Sequence, residues 1–417
     1  MSNQNSQNKA ATRLQPPSDT NGLPLHWRVV RFYDCLKKVK SAKHPSILQE
    51  EYEAKGAYPI IDQGSEYIAG WTDLKECVIF EDLPVIIFGD HTRIFKYVDF
   101  PFAVGADGTK ILRANDDILD PSFFYFTLLN LNIPNKGYNR HYKYLREFSI
   151  AFPADKTEQR AIAQALRTVQ EAKETRQYEI ALERERKAAL VQHLFTYGTR
   201  GEPRKQTEIG EIPESWRVVK LGQHILKPEY GYTTSAIQEQ IGPKFLRITD
   251  IQEDGVNWES VPYCKCDEKN RKNYLLKTDD IVIARIGATT GKTYLIHNPP
   301  EVIFASYLIR IRTKPDLFAD FLNFFCETDT YWSQINQSKG GRLKGGVNIP
   351  ILQNLLLGLP PINEQHEIAD TLSACDTKIA SLEQEIKLLN ELFHAMLEEL
   401  MTGRLSAIPI IEPEANS

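Results

Sequence analysis

Four short stretches carry the side chains that could do chemistry. In Gly89-Asp90-His91-Thr92-Arg93 a carboxylate, an imidazole, a hydroxyl and a guanidinium follow directly on an apolar run ending at Phe88. An Asp beside a His could serve nucleophilic catalysis, but neither a Ser or Cys nucleophile nor a second histidine cluster accompanies the pair. The same residues could face nucleic acid, where Arg pairs bidentately with guanine and Asp accepts from the cytosine amino group. A plain surface loop is the third reading. Two further stretches set cations on glycine-bearing backbone suited to phosphates: 136–143, with Lys136, Asn139, Arg140, His141 and Lys143, and 338–346, with Lys339, Arg342 and Lys344. The fourth, 285–292, offers Arg285, Thr289, Thr290 and Lys292 at one tip.

Signatures of catalysis fail on inspection. Gly287 to Thr293 resembles a phosphate-binding loop, but that motif needs a glycine five residues before Gly291, where Ile286 stands. A tight turn between strands is the expectation. Asn298-Pro299-Pro300-Glu301 departs at its fourth residue from the Asn-Pro-Pro-aromatic loop of adenine methyltransferases, and no glycine-rich cofactor loop accompanies it. The acid-x-Lys triplets at Asp267 to Lys269 and Glu385 to Lys387 lack a placed second carboxylate and read as solvated charge. Six cysteines without a CxxC pair predict free thiols in a reducing compartment and no metal site. A polar first stretch and the lack of any long apolar run predict a cytoplasmic chain with no membrane contact.

The candidate loops need elements to hold them. Tyr58 to Ile61, Val78 to Phe80 and Pro84 to Phe88 are apolar, β-branched runs separated by glycine and aspartate, which predicts short strands; Asp120 to Leu129 predicts a helix. Later in the chain, Phe245 to Thr249, Ile281 to Ala284, Thr293 to Ile296 and Ser306 to Arg312 read as strands, and Asp316 to Cys326 as a helix. The organisation expected is a disordered tail (1–22), a first block (23–151), a long helix (152–198), a linker (199–211), a second block (212–358), a second long helix (359–403) and a tail (404–417). The fold class is α+β.

The second long helix announces itself by a 4-3-4-3 seam: Ile368, Leu372, Cys375, Ile379, Leu382, Ile386, Leu389, Phe393, Met396 and Leu400. At 1.5 Å per residue it makes a rod of roughly 60 Å. The chain holds a partner for it. Phe152-Pro153, Glu158-Gln159, Ile162-Ala163 and Leu166 repeat Leu359-Pro360, Glu364-Gln365, Ile368-Ala369 and Leu372, and the Pro-x-x-Trp-Arg-Val-Val around Trp27 recurs around Trp216. The chain is thus a tandem duplication. The same register gives Ile162, Leu166, Val169, Lys173, Arg176, Ile180, Glu183, Lys187, Leu190 and Leu194 on the first helix. Its charged middle leaves two alternatives: the seam slips onto Ala172, Ala181 and Ala188, or the middle faces water or another subunit. Lys156 to Thr196 carries 8 basic and 6 acidic residues, whereas Leu359 to Ser417 carries 3 and 11, within a net charge of -5. Opposite charge favours pairing the two helices with each other.

Two differing blocks, each followed by a helix opening on Glu-Gln-x-x-Ile-Ala, resemble the specificity subunits of Type I restriction-modification systems. The most specific parts are Leu359 to Ala369, Arg285 to Lys292 and Phe88 to Arg93, and the likeness runs from Pro24 to about Leu405. The resemblance implies two target-recognition domains, each reading half of a split double-stranded DNA sequence, and two long helices packed antiparallel as a spacer. It further implies no catalysis and no cofactor on this chain. Modification subunits would bring S-adenosylmethionine and adenine methylation, and motor-nuclease subunits ATP and Mg2+. A reading from another class is a coiled-coil protein scaffold without DNA binding, motivated by the pI near 6.1. A metal-dependent nuclease is the weakest of the three.

Overall fold

In each half of the chain the stretches that repeat in sequence pair with each other. This emerges from a computed structural model that describes residues 22–38, 45–106, 108–137, 139–252, 255–338 and 346–407. The first half runs through β1 (Trp27–Arg31), β2 (Tyr58–Ile61), β3 (Gly70–Thr72), β4 (Val78–Ile79), β5 (Val85–Gly89), β6 (Phe95–Val98), β7 (Phe102–Val104), β8 (Thr109–Leu112), α1 (Pro121–Leu129), α2 (Tyr142–Leu145), β9 (Ser149–Pro153) and the long α3 (Lys156–Tyr197). The second runs through β10 (Arg204–Thr207), β11 (Gly210–Pro213), β12 (Arg217–Lys220), α4 (Leu221–His224), β13 (Glu229–Tyr230), β14 (Ala236–Ile237), β15 (Lys244–Leu246), β16 (Ile251–Gln252), β17 (Gly255–Val256), β18 (Tyr263–Cys264) and α5 (Glu268–Tyr274). It continues with β19 (Ile281–Ala284), β20 (Thr293–Leu295), β21 (Val302–Phe304), β22 (Leu308–Ile311), α6 (Ala319–Phe325), α7 (Asp329–Ser338), α8 (Ile349–Asn354), β23 (Leu356–Leu359) and the long α9 (Ile362–Met401). Strand β1 pairs antiparallel with β9, Trp27 opposite Pro153, and β12 pairs with β23, Arg217 opposite Leu359. The Trp-Arg-Val-Val motif and the apolar-Pro motif recur together because they are two edges of one ladder.

The chain forms two units: one up to Arg176 and from Glu385 onward, the other Gln177–Gln384. Both long helices are therefore divided between units, and the boundaries fall at mid-helix rather than at helix ends. In the first unit the sheets run β3-β2-β7-β4, with β2 parallel to β7, and β6-β5-β8, all antiparallel. In the second, β14-β18-β15-β21 includes the parallel pair β15/β21, and β13-β22-β19-β20 is antiparallel. One scaffold is used twice, with β2, β5, β6, β7 and β8 matched by β15, β19, β20, β21 and β22. The linker expected over 199–211 differs: β10 and β11 form a hairpin there, turning at Gly210, whose φ of +101° suits glycine.

Asp120 caps α1 by accepting from the Ser122 and Phe123 amides at 3.0 and 3.1 Å. The helix buries Phe123, Phe124 and Phe126 among Phe32, Phe88, Ile162, Leu166 and Leu400. In the second unit α6 buries Phe321, Phe324 and Phe325 among Trp216, Tyr331, Leu194, Ile368 and Leu372. Each such ring contributes about 1.5–3 kcal/mol by leaving water.

The paired Gln residues of the Glu-Gln motif do the same job in both units. Gln159 accepts from the Asp120 amide (2.7 Å) and donates to the Ile118 and Pro153 carbonyls (3.0 and 2.9 Å). Gln365 accepts from the Phe318 amide (2.8 Å) and donates to the Asp316 and Pro360 carbonyls (both 3.0 Å). Both side chains are buried, so each clasps the start of a long helix to the start of the short helix before it. At the other end each long helix stops on a glycine in the left-handed region. A Cβ on Gly198 would meet Pro213 and Trp216, and one on Gly403 would meet Pro24 and Trp27.

The two helices pack antiparallel in each unit. Ile162 and Leu166 lie with Leu397, Leu400 and Met401 in one core, and Val191 and Leu194 with Ile368, Ala369 and Leu372 in the other. Val169, Ile180 and Leu382 are buried, while Leu190, Ile379, Ile386, Leu389, Phe393 and Met396 are half-buried. The seam does not slip: Ala172, Ala181 and Ala188 are exposed, and Lys173, Arg176, Glu183 and Lys187 keep the seam positions. Acidic residues, most of them on the other helix, meet part of this charge, and Glu183 pairs with Arg186 of its own helix. Arg176 bonds Glu385 at 2.6 Å, Arg184 bonds Glu383 at 2.7 Å, and Lys187 bridges Asp376 at 2.8 Å and Glu327 at 3.0 Å. Such half-exposed pairs contribute only ~0.2–1 kcal/mol each, so they select the partner more than they stabilise the pair.

Candidate nucleic-acid interface

In the first unit four loops meet. The β5–β6 turn starts at Asp90, whose amide donates to the Gly108 carbonyl in the β7–β8 turn at 2.7 Å. The Asp90 carbonyl accepts from the His141 amide at 2.8 Å and lies 3.0 Å from His141 Nδ1. Asp90 Oδ1 accepts from the Tyr142 amide at 2.7 Å, which ties in the stretch over 136–143. His141 Nε2 faces the Lys136 amide at 3.4 Å. Asp90 and His141 are 2% and 0% exposed. Both are almost wholly buried here, and through these bonds they hold two loops together.

The exposed part of this cluster is cationic and polar. Thr92, Lys136, Asn139, Arg140 and Lys143 are exposed, and His91 and Arg93 are half-buried. Arg93 takes the left-handed conformation, φ 65°, uncommon for a residue with a Cβ, and donates to the Ile133 carbonyl at 3.1 Å. Lys143 lies 4.9 Å from the Tyr144 ring centre.

Sequence reasoning missed the residue at the centre. Gln63, just after β2, accepts from Thr92 Oγ1 through its carbonyl at 2.6 Å and from the His91 amide through Oε1 at 3.1 Å. Gly89 and Gly108 flank it, and a Cβ on either would strike Gln63. Only those two glycines, read together, hint that something packs there. Beside it Lys96, 4% exposed, sits 3.6 Å from Asp62 and donates to the Glu66 carbonyl. Burial holds its ammonium below the usual lysine range, with Asp62 pulling the other way.

The second unit repeats the junction with other residues. The β19–β20 turn starts at Arg285, whose amide donates to the Tyr307 carbonyl in the β21–β22 turn at 3.0 Å, and whose carbonyl accepts from the Val347 amide at 2.9 Å. These are the two backbone bonds that Asp90 makes to Gly108 and His141. Lys292 is exposed, Arg285 and Thr289 are half-buried, and the Arg285 guanidinium lies 4.6 Å from the Tyr230 ring centre. Thr290, placed among the contact residues from sequence, is 5% exposed and donates to the Gly287 carbonyl at 2.7 Å; it closes its own turn. Tyr331, fully buried on α7, anchors the far side by donating to the Gly291 carbonyl at 2.7 Å. Lys339, Arg342 and Lys344 lie outside the described residues.

The other motifs resolve as turns. The amides of Thr290, Gly291 and Lys292 bond carbonyls within or beside the β19–β20 turn, and a strand rather than a helix follows, so no phosphate cradle forms. Glu301 pairs with Arg271 on α5. Burial pushes the Cys35 and Cys264 thiols up to about 12, far from thiolate chemistry at neutral pH. Among the described residues no helix is long and apolar enough to cross a membrane.

A chain that presents two loop junctions on one repeated scaffold, with different side chains at each, is a tandem recognition protein. A profile of the type I restriction modification DNA specificity domain matches residues 24–184 and 202–391. The MjaVIII type I restriction enzyme specificity subunit of Methanocaldococcus jannaschii is 23% identical over 403 residues, 92% of this chain and 94% of that one. The EcoKI specificity subunit of Escherichia coli K12 is 20% identical over 220 residues, 48% of this chain and 47% of that one. The crystal structure of the S subunit of a type I system from M. genitalium shares the fold with a TM-score of 0.60 at 15% identity, covering 93% of this chain and 99% of that one. A second structure, from work on complex assembly and conformational transition of the type I system, matches with a TM-score of 0.52 at 16% identity over 92% of this chain and 99% of that one. The chain therefore belongs to the type I restriction-modification specificity family, whose task is recognition of a DNA target.

Proposed function

We propose that this chain reads an asymmetric, two-part DNA target, each loop junction facing one half-site, and that it contributes recognition without catalysis. His91, Thr92, Arg93, Lys136, Asn139, Arg140 and Lys143 would face the first half-site, and Arg285, Thr289, Lys292 and the cations over 339–344 the second. Asp90, His141 and Thr290 position those loops. The observation that supports this reading is the repeated junction: the same two backbone bonds anchor Asp90 and Arg285 just after matching strands, while the tips differ. A rigid frame with differing tips is what two readers of unlike sequences require.

The two long helices would act as the spacer that leaves a gap unread, as half-site spacing does in dimeric readers. Modification subunits carrying S-adenosylmethionine and methylating adenine would dock on this chain, as would motor-nuclease subunits using ATP and Mg2+. Methylation profiling of DNA from cells with and without the chain tests the proposal. A two-part motif that appears only with the chain is expected, and exchanging residues 212–358 for a relative's block should change one half alone. Methylation without sequence preference, or a change in both halves, would refute it. Absence of DNA binding at every salt concentration would leave the protein-scaffold reading standing.

A further inference from the structure

Three arginines on or beside the β13-β22-β19-β20 sheet are held in different ways, and the difference separates structure from recognition. Arg310, 2% exposed, pairs with Glu229 and donates to the Leu275 and Asn273 carbonyls at 2.8 and 3.0 Å. Arg312 forks onto Asp280 at 2.6 and 3.2 Å. Both are neutralised by carboxylates, as the buried Arg310 must be. Arg285 has no carboxylate partner among the described residues. Among the described residues its one side-chain hydrogen bond is a long one, from Nη1 to the Ser306 carbonyl at 3.4 Å. Its support is the Tyr230 ring beneath the guanidinium.

Tyr230 is itself fixed. It belongs to β13, opposite Ile309 of β22, and its hydroxyl accepts from the Ile349 amide at 3.3 Å. Successive strand residues face opposite sides, so Glu229 turns to Arg310 and leaves the aromatic ring to Arg285. The Arg285 backbone is tied at both its amide and its carbonyl. A half-exposed guanidinium is therefore seated over an aromatic ring, its Nε buried and its terminal nitrogens largely uncommitted among the described residues, beside the exposed Tyr307 and Lys292. A phosphate needs only a cation within reach, and a flexible lysine such as Lys292 serves. A guanidinium supported on an aromatic ring suits edge-on, two-pronged donation from its terminal nitrogens to guanine O6 and N7.

We propose that Arg285 reads a guanine in the second half-site and that Tyr230 is its positioning residue. The inference rests on the DNA-reading function proposed above and adds a base, a residue and a support. The test is selection from randomised duplexes by the full chain, alone and assembled with its modification subunit, with thermal melting run in parallel. Wild type should enrich a guanine at one position of the second half. Arg285→Ala and Arg285→Lys should each lower that preference roughly five- to hundredfold and leave the first half unchanged. Tyr230→Phe keeps the ring and gives up only the long, exposed bond from the Ile349 amide, so it should stay close to wild type, whereas Tyr230→Leu should relax the same position. An Arg285→Ala variant that binds all sequences more weakly with its preferences intact, and is rescued by Arg285→Lys, would make the contact a phosphate and overturn the proposal. Tyr230→Leu with wild-type melting and an unchanged guanine preference would overturn the positioning role. If Tyr230→Leu does not fold, the two Arg285 variants decide the matter. Wild type enriching no sequence at all would instead sink the DNA-reading function.

Discussion

Replacing Gln365 by Leu keeps the side-chain volume and removes three hydrogen bonds from a buried site. The amide of Phe318 loses its acceptor and the carbonyls of Asp316 and Pro360 lose their donor. At roughly 1 kcal/mol net per bond, and more where a backbone group stays buried without a partner, the cost is about 3–5 kcal/mol. Hydrogen exchange followed residue by residue reads this locally, which matters in a chain with two units and no assured two-state unfolding. A loss of 3 kcal/mol should speed exchange at Phe318 by roughly a hundredfold, at about 1.4 kcal/mol per decade. Gln159→Leu should do the same at Asp120 and leave the helix after Phe318 untouched, since distant sites act independently. A cost under about 1 kcal/mol in both variants, or exchange at Phe318 responding to Gln159→Leu, would refute the assignment of these glutamines as clasps.

Lys292→Ala should weaken DNA binding evenly across sequences and flatten the salt dependence by a slope of about 0.9, as titrations at several salt concentrations would show. Asp90→Ala strands the Tyr142 amide and should cost about 1–3 kcal/mol in urea unfolding; in a sequence-selection assay it should blur the first half-site only. Lys187→Met leaves Glu327 and Asp376 facing each other without their shared ammonium. Burial already raises the Glu327 carboxyl above its ordinary value, with Lys187 pulling it down. Removing the ammonium raises it further, and a carboxyl raised in the folded state destabilises that state only once it ionises. The deficit, about 1 kcal/mol for such a partly exposed pair, should be fullest above the folded value and shrink as pH falls through it, which melting curves across that range would report.

The duplication, the two long helices and most strands were legible because each rests on a local period or a repeated word. The 4-3-4-3 spacing locates α9, and carrying its register back gives the α3 seam even where Lys173, Arg176, Glu183 and Lys187 replace apolar residues. The opposite charge of the two helices was readable as a sum, and the structure resolves it into Arg176–Glu385 and Lys187–Asp376. The loops were legible as loops but not by depth. Nothing in Gly89 to Arg93 says that Asp90 turns inward and Thr92 outward, because that depends on strands and turns from elsewhere in the chain. Gln63, hinted at only by Gly89 and Gly108, and Tyr230, which gave no signal, were hidden for the same reason: each acts on a segment at least 25 residues away. The Glu-Gln motif, the most recognisable word in the sequence, serves architecture through Gln159 and Gln365 rather than recognition.

The placement of α9 bears on how the protein is made. The second unit is one continuous stretch, Gln177–Gln384, whereas the first draws its Leu397, Leu400 and Met401 from the last helix. A ribosome adds roughly 5–20 residues per second, so the first unit waits on the order of 10–40 s, after its early strands emerge, for the helix that covers Ile162 and Leu166. The usual order, in which the N-terminal part of a chain finishes first, is thereby inverted. The unit begun last is completed first, and a nascent chain stopped short of Glu385 carries one finished reader and one whose aromatic core is still open on one side.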